Sequence, residues 1–144
     1  MVTAVSARIR DAVAALPLKA GMRVLEIGCG PGVAAREIVR LWPDVHVLGI
    51  DRSASAIRLA VAGAREQIAA GQLAFRIANA EEFALQRGEP PFDLAFALRV
   101  GALDGRHPQA GALALPRIRA ALVRGGPLYV DGGNPLRQLA LDRT

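Results

Sequence analysis

Residues 24–32 read VLEIGCGPG. An apolar run carrying one acid, Glu26, leads straight into Gly28, Gly30 and Gly32. The run has the length and composition of a buried strand. The PGVAAREIVRLW that follows, residues 31–42, has the period of an amphipathic helix. Chain that passes from strand to helix through alternate glycines can take positive φ, and it carries no Cβ atoms to hold a ligand off the backbone. The same glycines also suit a tight turn with no ligand, so the downstream sequence has to decide.

Downstream, strand-like and helix-like segments alternate. VHVLGID (45–51), LAFRIAN (73–79), FDLAFALRV (92–100) and PLYVDGG (127–133) read as strands. Residues 53–71 read as one long helix, with Ser53 as N-cap and Gly71 just past its end. Residues 3–16 form a helix that stops before Pro17, and residues 80–86 a short helical turn. Residues 108–123 are mostly helical, with Pro116 forcing a new start or a kink. Residues 134–144 are left as a short tail of weak helical character. Alternation of this kind predicts an α/β fold: a parallel sheet with helices on both faces. Such a sheet opens a crevice at the carboxyl ends of its strands, and VLEIGCGPG lies at one of them.

Composition sets the outer bounds. The 144 residues make one domain, and 52% apolar residues with only 4% aromatics imply a core of Ala, Val, Leu and Ile. The net charge of +5 is nearly all arginine, with Lys19 the sole lysine. The arginines are scattered singly from Arg8 to Arg143 without aromatic partners, so nucleic acid is a possible partner but not a favoured one. Cys29 is the one cysteine, which excludes an intramolecular disulfide and a cysteine-based metal site; no metal is expected. No apolar run approaches ~18 residues, so no membrane span is expected. These features fit a cytoplasmic protein.

The second signal is Asp51, which ends the second strand about two dozen residues after the glycines. An acid there can accept hydrogen bonds from a ribose diol, although a turn or N-cap role competes. Loop and acid together point to a ribonucleoside-containing cofactor. A dinucleotide fold expects G-x-G-x-x-G. Here the spacing is G-x-G-x-G, and Val33 stands where the third glycine of that fingerprint would fall. Glu26 at the loop entrance would repel a pyrophosphate and suits a ligand with positive charge. S-adenosylmethionine, with an ammonium and a sulfonium and no phosphate, fits that charge logic.

At this point the sequence resembles a known family. VLEIGCGPG is similar to motif I of the class I S-adenosylmethionine-dependent methyltransferases, of the small-molecule-like subgroup. GIDRS, IANAEEF, PFDLAFALRVGAL and IRAALVRGGPLYV follow in the order of the later motifs, over about residues 20–131. The resemblance implies a doubly wound, Rossmann-like α/β sheet of about five parallel strands in the order 3-2-1-4-5 with helices on both faces, and a single domain, 1–144, made of an N-terminal helix (1–19), a cofactor-binding core (20–131) and a tail (132–144). It also implies roles. Gly28, Gly30 and Gly32, with Cys29 inside the same loop as a small filler, would wrap the methionine part and the ribose. Glu26 would position the loop or meet the ammonium. Asp51 would hold the ribose hydroxyls, Arg52 would flank the adenine, and Asn79 and the Ala80 N–H would meet its edge. Leu98, Arg99 and Val100 would face the methyl group. His107 and Asp104 are the candidates for a base, should the acceptor need to lose a proton.

Two departures matter. Asp104 stands where similar members carry a histidine. Only 13 residues follow Asp131, so the usual C-terminal antiparallel hairpin is expected to be missing. The fifth strand would then lie at a sheet edge, to be covered by the tail or by a second copy in a homo-oligomer. The expected function is methyl transfer from S-adenosylmethionine to a small-molecule acceptor. A non-catalytic module that binds the cofactor and acts through a partner is the alternative, and a nicotinamide-dependent oxidoreductase is disfavoured by the loop spacing.

Overall fold

The computed structural model describes residues 5–141. Its elements run α1 (Ala7–Ala15), β1 (Arg23–Ile27), α2 (Val33–Leu41), β2 (His46–Asp51), α3 (Ala54–Ala62), α4 (Arg65–Ala69), β3 (Leu73–Ile77), β4 (Leu94–Ala97), α5 (Pro108–Ala121), β5 (Leu128–Asp131) and β6 (Leu136–Leu139). The strands form one six-stranded sheet in the order β3-β2-β1-β4-β5-β6. The first five are parallel, as the alternation predicts, and β6 runs antiparallel to β5.

Side-chain alternation along the strands builds two apolar layers. Val24, Val47, Leu94 and Phe96 face Val13 of α1 and Ile38 of α2. Leu25, Ile50, Ala95, Ala97 and Leu128 face Ala114 and Ile118 of α5. Because both faces are covered, the central strands read as nearly continuous apolar runs. Small and branched aliphatic residues dominate the interior, with Phe92 and Phe96 fully buried among them.

Several expectations are corrected. The C-terminal hairpin is not missing: the tail turns at Gly132 (φ 101°) and returns as β6, pairing Asp131 with Leu136 and Leu128 with Leu139. Leu136 and Leu139 reach the two opposite apolar layers, which explains why this segment is a strand and not a weak helix. Of the ways to cover the β5 edge, the tail is the one observed, through β6. The helix expected over 53–71 is two helices, because α3 ends at Gly63 and Ala64 leaves helical geometry before α4 begins. No helix forms over 80–86; the Asn79 side chain accepts from the Glu82 N–H and closes a turn instead. Pro116 does not interrupt α5, since it lies on the exposed side, where water can serve the carbonyl left without a donor. The helix expected over 3–16 is observed from Ala7; residues 3 and 4, and 142–144 of the tail, lie outside the described residues. No helix among the described residues is long and apolar enough to cross a membrane.

Candidate functional site

A cavity of about 910 Å³ opens at the carboxyl ends of β1, β2 and β4 and against the start of α5. It brings together Gly28, Asp51, Arg52, Asn79, Ala80, Arg99 and His107 from the sequence-predicted set. Glu26, Cys29, Gly30, Gly32, Leu98 and Asp104 do not line it.

The three loop glycines have positive φ, 68°, 53° and 82° for Gly28, Gly30 and Gly32, but they serve different ends. A Cβ on Gly28 would come within 2.7 Å of Val100 Cγ2 at the cavity wall. One on Gly32 would strike the Phe75 ring at 2.9 Å, so this glycine lets α2 start close against the sheet. At Gly30 the space is open, and what matters is its N–H, which donates to Asp51 Oδ2 at 2.9 Å. The Cys29 N–H donates to the Ile50 carbonyl at 3.0 Å. Asp51 Oδ1 accepts from the Ser53 N–H at 2.9 Å, and the Ser53 hydroxyl caps α3 through the Ala56 N–H. Asp51 thus ties the glycine loop of β1 to the first turn after β2. Each of its oxygens keeps a lone pair for a further donor.

Glu26 lies beneath this loop, 3% exposed, with Oε1 lacking any hydrogen-bond partner. Burial, and then the Asp51 charge, push its pKa from 4.5 up to about 8. Burial, Glu26 and Asp51 likewise push the Cys29 thiol far up, so it is a neutral filler rather than a nucleophile. Its side chain occupies the space a Cβ on Gly49 would need. Gly49 was missed by the sequence reading, although a glycine inside a strand is the usual sign of such close approach.

The opposite end of the cavity is cationic. Arg99 leaves β4 in the left-handed region (φ 57°), where a non-glycine residue is strained. Its backbone is held on both sides: its N–H donates to Asp131 Oδ1 at 3.1 Å, and its carbonyl accepts from Arg106 Nη2 at 3.1 Å. Among the described residues its guanidinium makes no salt bridge. Arg106 also lines the cavity, and its Nε binds Asp104 at 2.8 Å. That hydrogen bond holds the Asp104 carboxyl below its usual range against a smaller burial effect, so Asp104 is a poor proton acceptor. His107 precedes α5 without capping it through its side chain, and its ring packs on Gly101. Leu98 turns the other way, onto the layer of α1 and α2. Asn79 spends its amide on Glu82, donating to Oε1 at 3.1 Å and accepting from the N–H at 2.9 Å. Asp131 and Arg106 were not foreseen; the position of Asp131 at the carboxyl end of β5 was the available signal.

The cavity is therefore polarised. Asp51 and Glu81 line the end formed by β2 and the loop after β3, with Glu26 below, while Arg99, Arg106 and His107 line the end formed by the β4–α5 segment. Among the described residues, Arg52 is the one cation that lines the acidic end.

Residues 18–136 match the family model described as "Methyltransferase domain". The sequence is 36% identical over 121 residues to the trans-aconitate 2-methyltransferase of Methylobacterium nodulans, covering 84% of this chain and 42% of the relative. The chain thus spans less than half of that relative's length. Among solved structures, the S-adenosylmethionine-dependent methyltransferase from Geobacter sulfurreducens, in complex with S-adenosyl-L-homocysteine, superposes with a TM-score of 0.66 at 22% identity, over 85% of this chain and 46% of that one. The cyclase SpnF superposes with a TM-score of 0.65 at 28% identity, over 85% of this chain and 43% of that one.

Proposed function

The chain belongs to the methyltransferase-domain family, and on that premise we propose that it binds S-adenosylmethionine and methylates a small acceptor that carries a carboxylate. The observation that carries this reading is the polarity of the cavity, with Asp51 and Glu81 at the end formed by β2 and the loop after β3, and Arg99 and Arg106 at the β4–α5 end. Fold alone does not carry it, since a structure named as a cyclase shares the architecture.

The residues present fit the cofactor. Gly28 clears a Cβ from the wall of the cavity, and Glu26 Oε1 is a buried acceptor in want of a cation. S-adenosylmethionine, when bound, supplies an electrophilic methyl group on a sulfonium. Asp51 would hold the ribose hydroxyls with the lone pairs left over from the Gly30 and Ser53 N–H groups. Asn79 and the Ala80 N–H would face the adenine, with Arg52 beside it. Gly30, Gly32 and Cys29 shape the loop from behind.

At the other end, the Arg99 guanidinium offers a fork for a carboxylate. Arg106 and His107 stand on the same wall. A carboxylate is ionised at neutral pH and needs no base to become a nucleophile. The commitment of Asp104 to Arg106 is then no obstacle. The relatives named trans-aconitate 2-methyltransferase support an acidic acceptor of this kind.

Labelled S-adenosylmethionine incubated with trans-aconitate and a panel of small di- and tricarboxylic acids tests the reading. Labelled methyl ester is the expected product. Binding of S-adenosylhomocysteine with no transfer to any acid would favour the alternative of a non-catalytic binding module.

A further inference from the structure

We infer that Glu26 is protonated in the ligand-free chain and gives up its proton when a cationic adenosyl ligand settles on the glycine loop, so that binding at this site is coupled to proton release. The inference rests on the S-adenosylmethionine reading above and adds a property of this chain's own residue.

Glu26 sits in the middle of the sheet, paired with Gly49 of β2 and Phe96 of β4. Neither neighbour offers a donor side chain. The charged and titratable groups that face it are Asp51, whose charge disfavours ionisation, and the neutral Cys29 thiol. Arg36 and Arg40 of α2 are turned to the Pro31 carbonyl and to Glu37. Among the described residues no cation forms a salt bridge with Glu26, and a buried carboxyl without cation or donor rests in its neutral form. Buried carboxyl oxygens ordinarily have hydrogen-bond partners, and even the part-buried Asp93 has one for Oδ2, the Arg23 N–H. The next two residues, Ile27 and Gly28, line the cavity. A ligand ammonium placed there is the partner the fold itself does not supply. Its charge favours the carboxylate, and the proton leaves to the buffer.

Calorimetric titration of the full chain with S-adenosylhomocysteine, repeated near neutral pH in buffers of different ionisation enthalpy, counts the protons exchanged. Close to one proton released per ligand is expected, with affinity rising by up to about tenfold per pH unit below pH ~8. In Glu26→Gln the release disappears and the pH profile flattens. Infrared difference spectra of the unsubstituted chain should lose a protonated-carboxyl band on binding, which keeps the test independent of how the variant folds. Binding without proton release, or release undiminished in Glu26→Gln, overturns the inference and leaves the cofactor reading intact. Absence of any binding overturns both.

Discussion

Asp51 Oδ2 accepts the Gly30 N–H at 2.9 Å, so the acid that ends β2 fastens the glycine loop that follows β1. An acid read from sequence as a ligand holder is also a structural clasp, and the two duties have separable consequences. Asp51→Ala removes both backbone bonds, and each is worth on the order of 1 kcal/mol. A loss of about 1–2 kcal/mol in urea denaturation is expected, together with at least a tenfold loss of S-adenosylhomocysteine affinity. A variant of unchanged stability would contradict the clasp.

The glycines differ in what they cost to replace. Gly32→Ala meets the Phe75 ring at 2.9 Å in addition to its φ of 82°, whereas Gly30→Ala meets open space at a φ of 53°. Backbone strain alone costs about 1–2 kcal/mol, and overpacking adds about 1–3 kcal/mol. Gly32→Ala should therefore be the more destabilising of the two in chemical denaturation, and equal losses would refute the assigned packing role.

Glu26 should leave a mark on stability as well as on binding. Unfolded, it titrates near 4.5; folded, near 8. Between those values the folded chain holds a proton that the unfolded chain has lost. Stability from this group is thus fully present below about 4.5 and is progressively lost as pH climbs to about 8. The slope is at most about 1.4 kcal/mol per pH unit. Melting temperatures of the ligand-free chain across that window should fall more steeply than those of Glu26→Gln, and parallel curves would show that the carboxyl is ionised throughout.

At the cationic end, Arg99→Gln should raise KM for a carboxylate acceptor by about ten- to a hundredfold, the worth of a hydrogen bond to a charged group. Asp131→Ala, which removes the acceptor of the Arg99 N–H, should move KM in the same direction by less, because it loosens only the Arg99 backbone. Asp104→Asn should leave the shape of the pH–rate profile unchanged, since Asp104 is engaged with Arg106 and is not the base. A lost acidic limb in that profile would restore Asp104 to the chemistry as a base.

The parallel core was legible because β1, β2 and β4 are buried on both faces, and because β1 and β2 end at a glycine, Gly28, and an acid, Asp51. The tail was not. In β6 the exposed Arg137 and Gln138 stand side by side between Leu136 and Leu139, which hides any alternation. The apolar pattern of 53–71 runs on through Gly63 and masks the break there. Of the residues that line the cavity, Gly28 and Asp51 were read from their places at strand ends, and Arg99 was implied by the family resemblance. Leu98 was misplaced even though it continues the face of Leu94 and Phe96, which a period-two count assigns to the α1–α2 layer. The hold of Asp131 on Arg99 spans 32 residues and is set by the β4–β5 pairing, so no local pattern announces it.

The pocket itself is tested by titrating the chain in parallel with S-adenosylhomocysteine and with NAD. Saturable binding of the first, lost or strongly weakened in a folded Asp51→Ala variant, with no comparable binding of NAD, is the predicted outcome. Equal affinity for the two, or binding of S-adenosylhomocysteine that is indifferent to Asp51, would contradict the placement of an adenosyl sulfonium beneath the glycine loop.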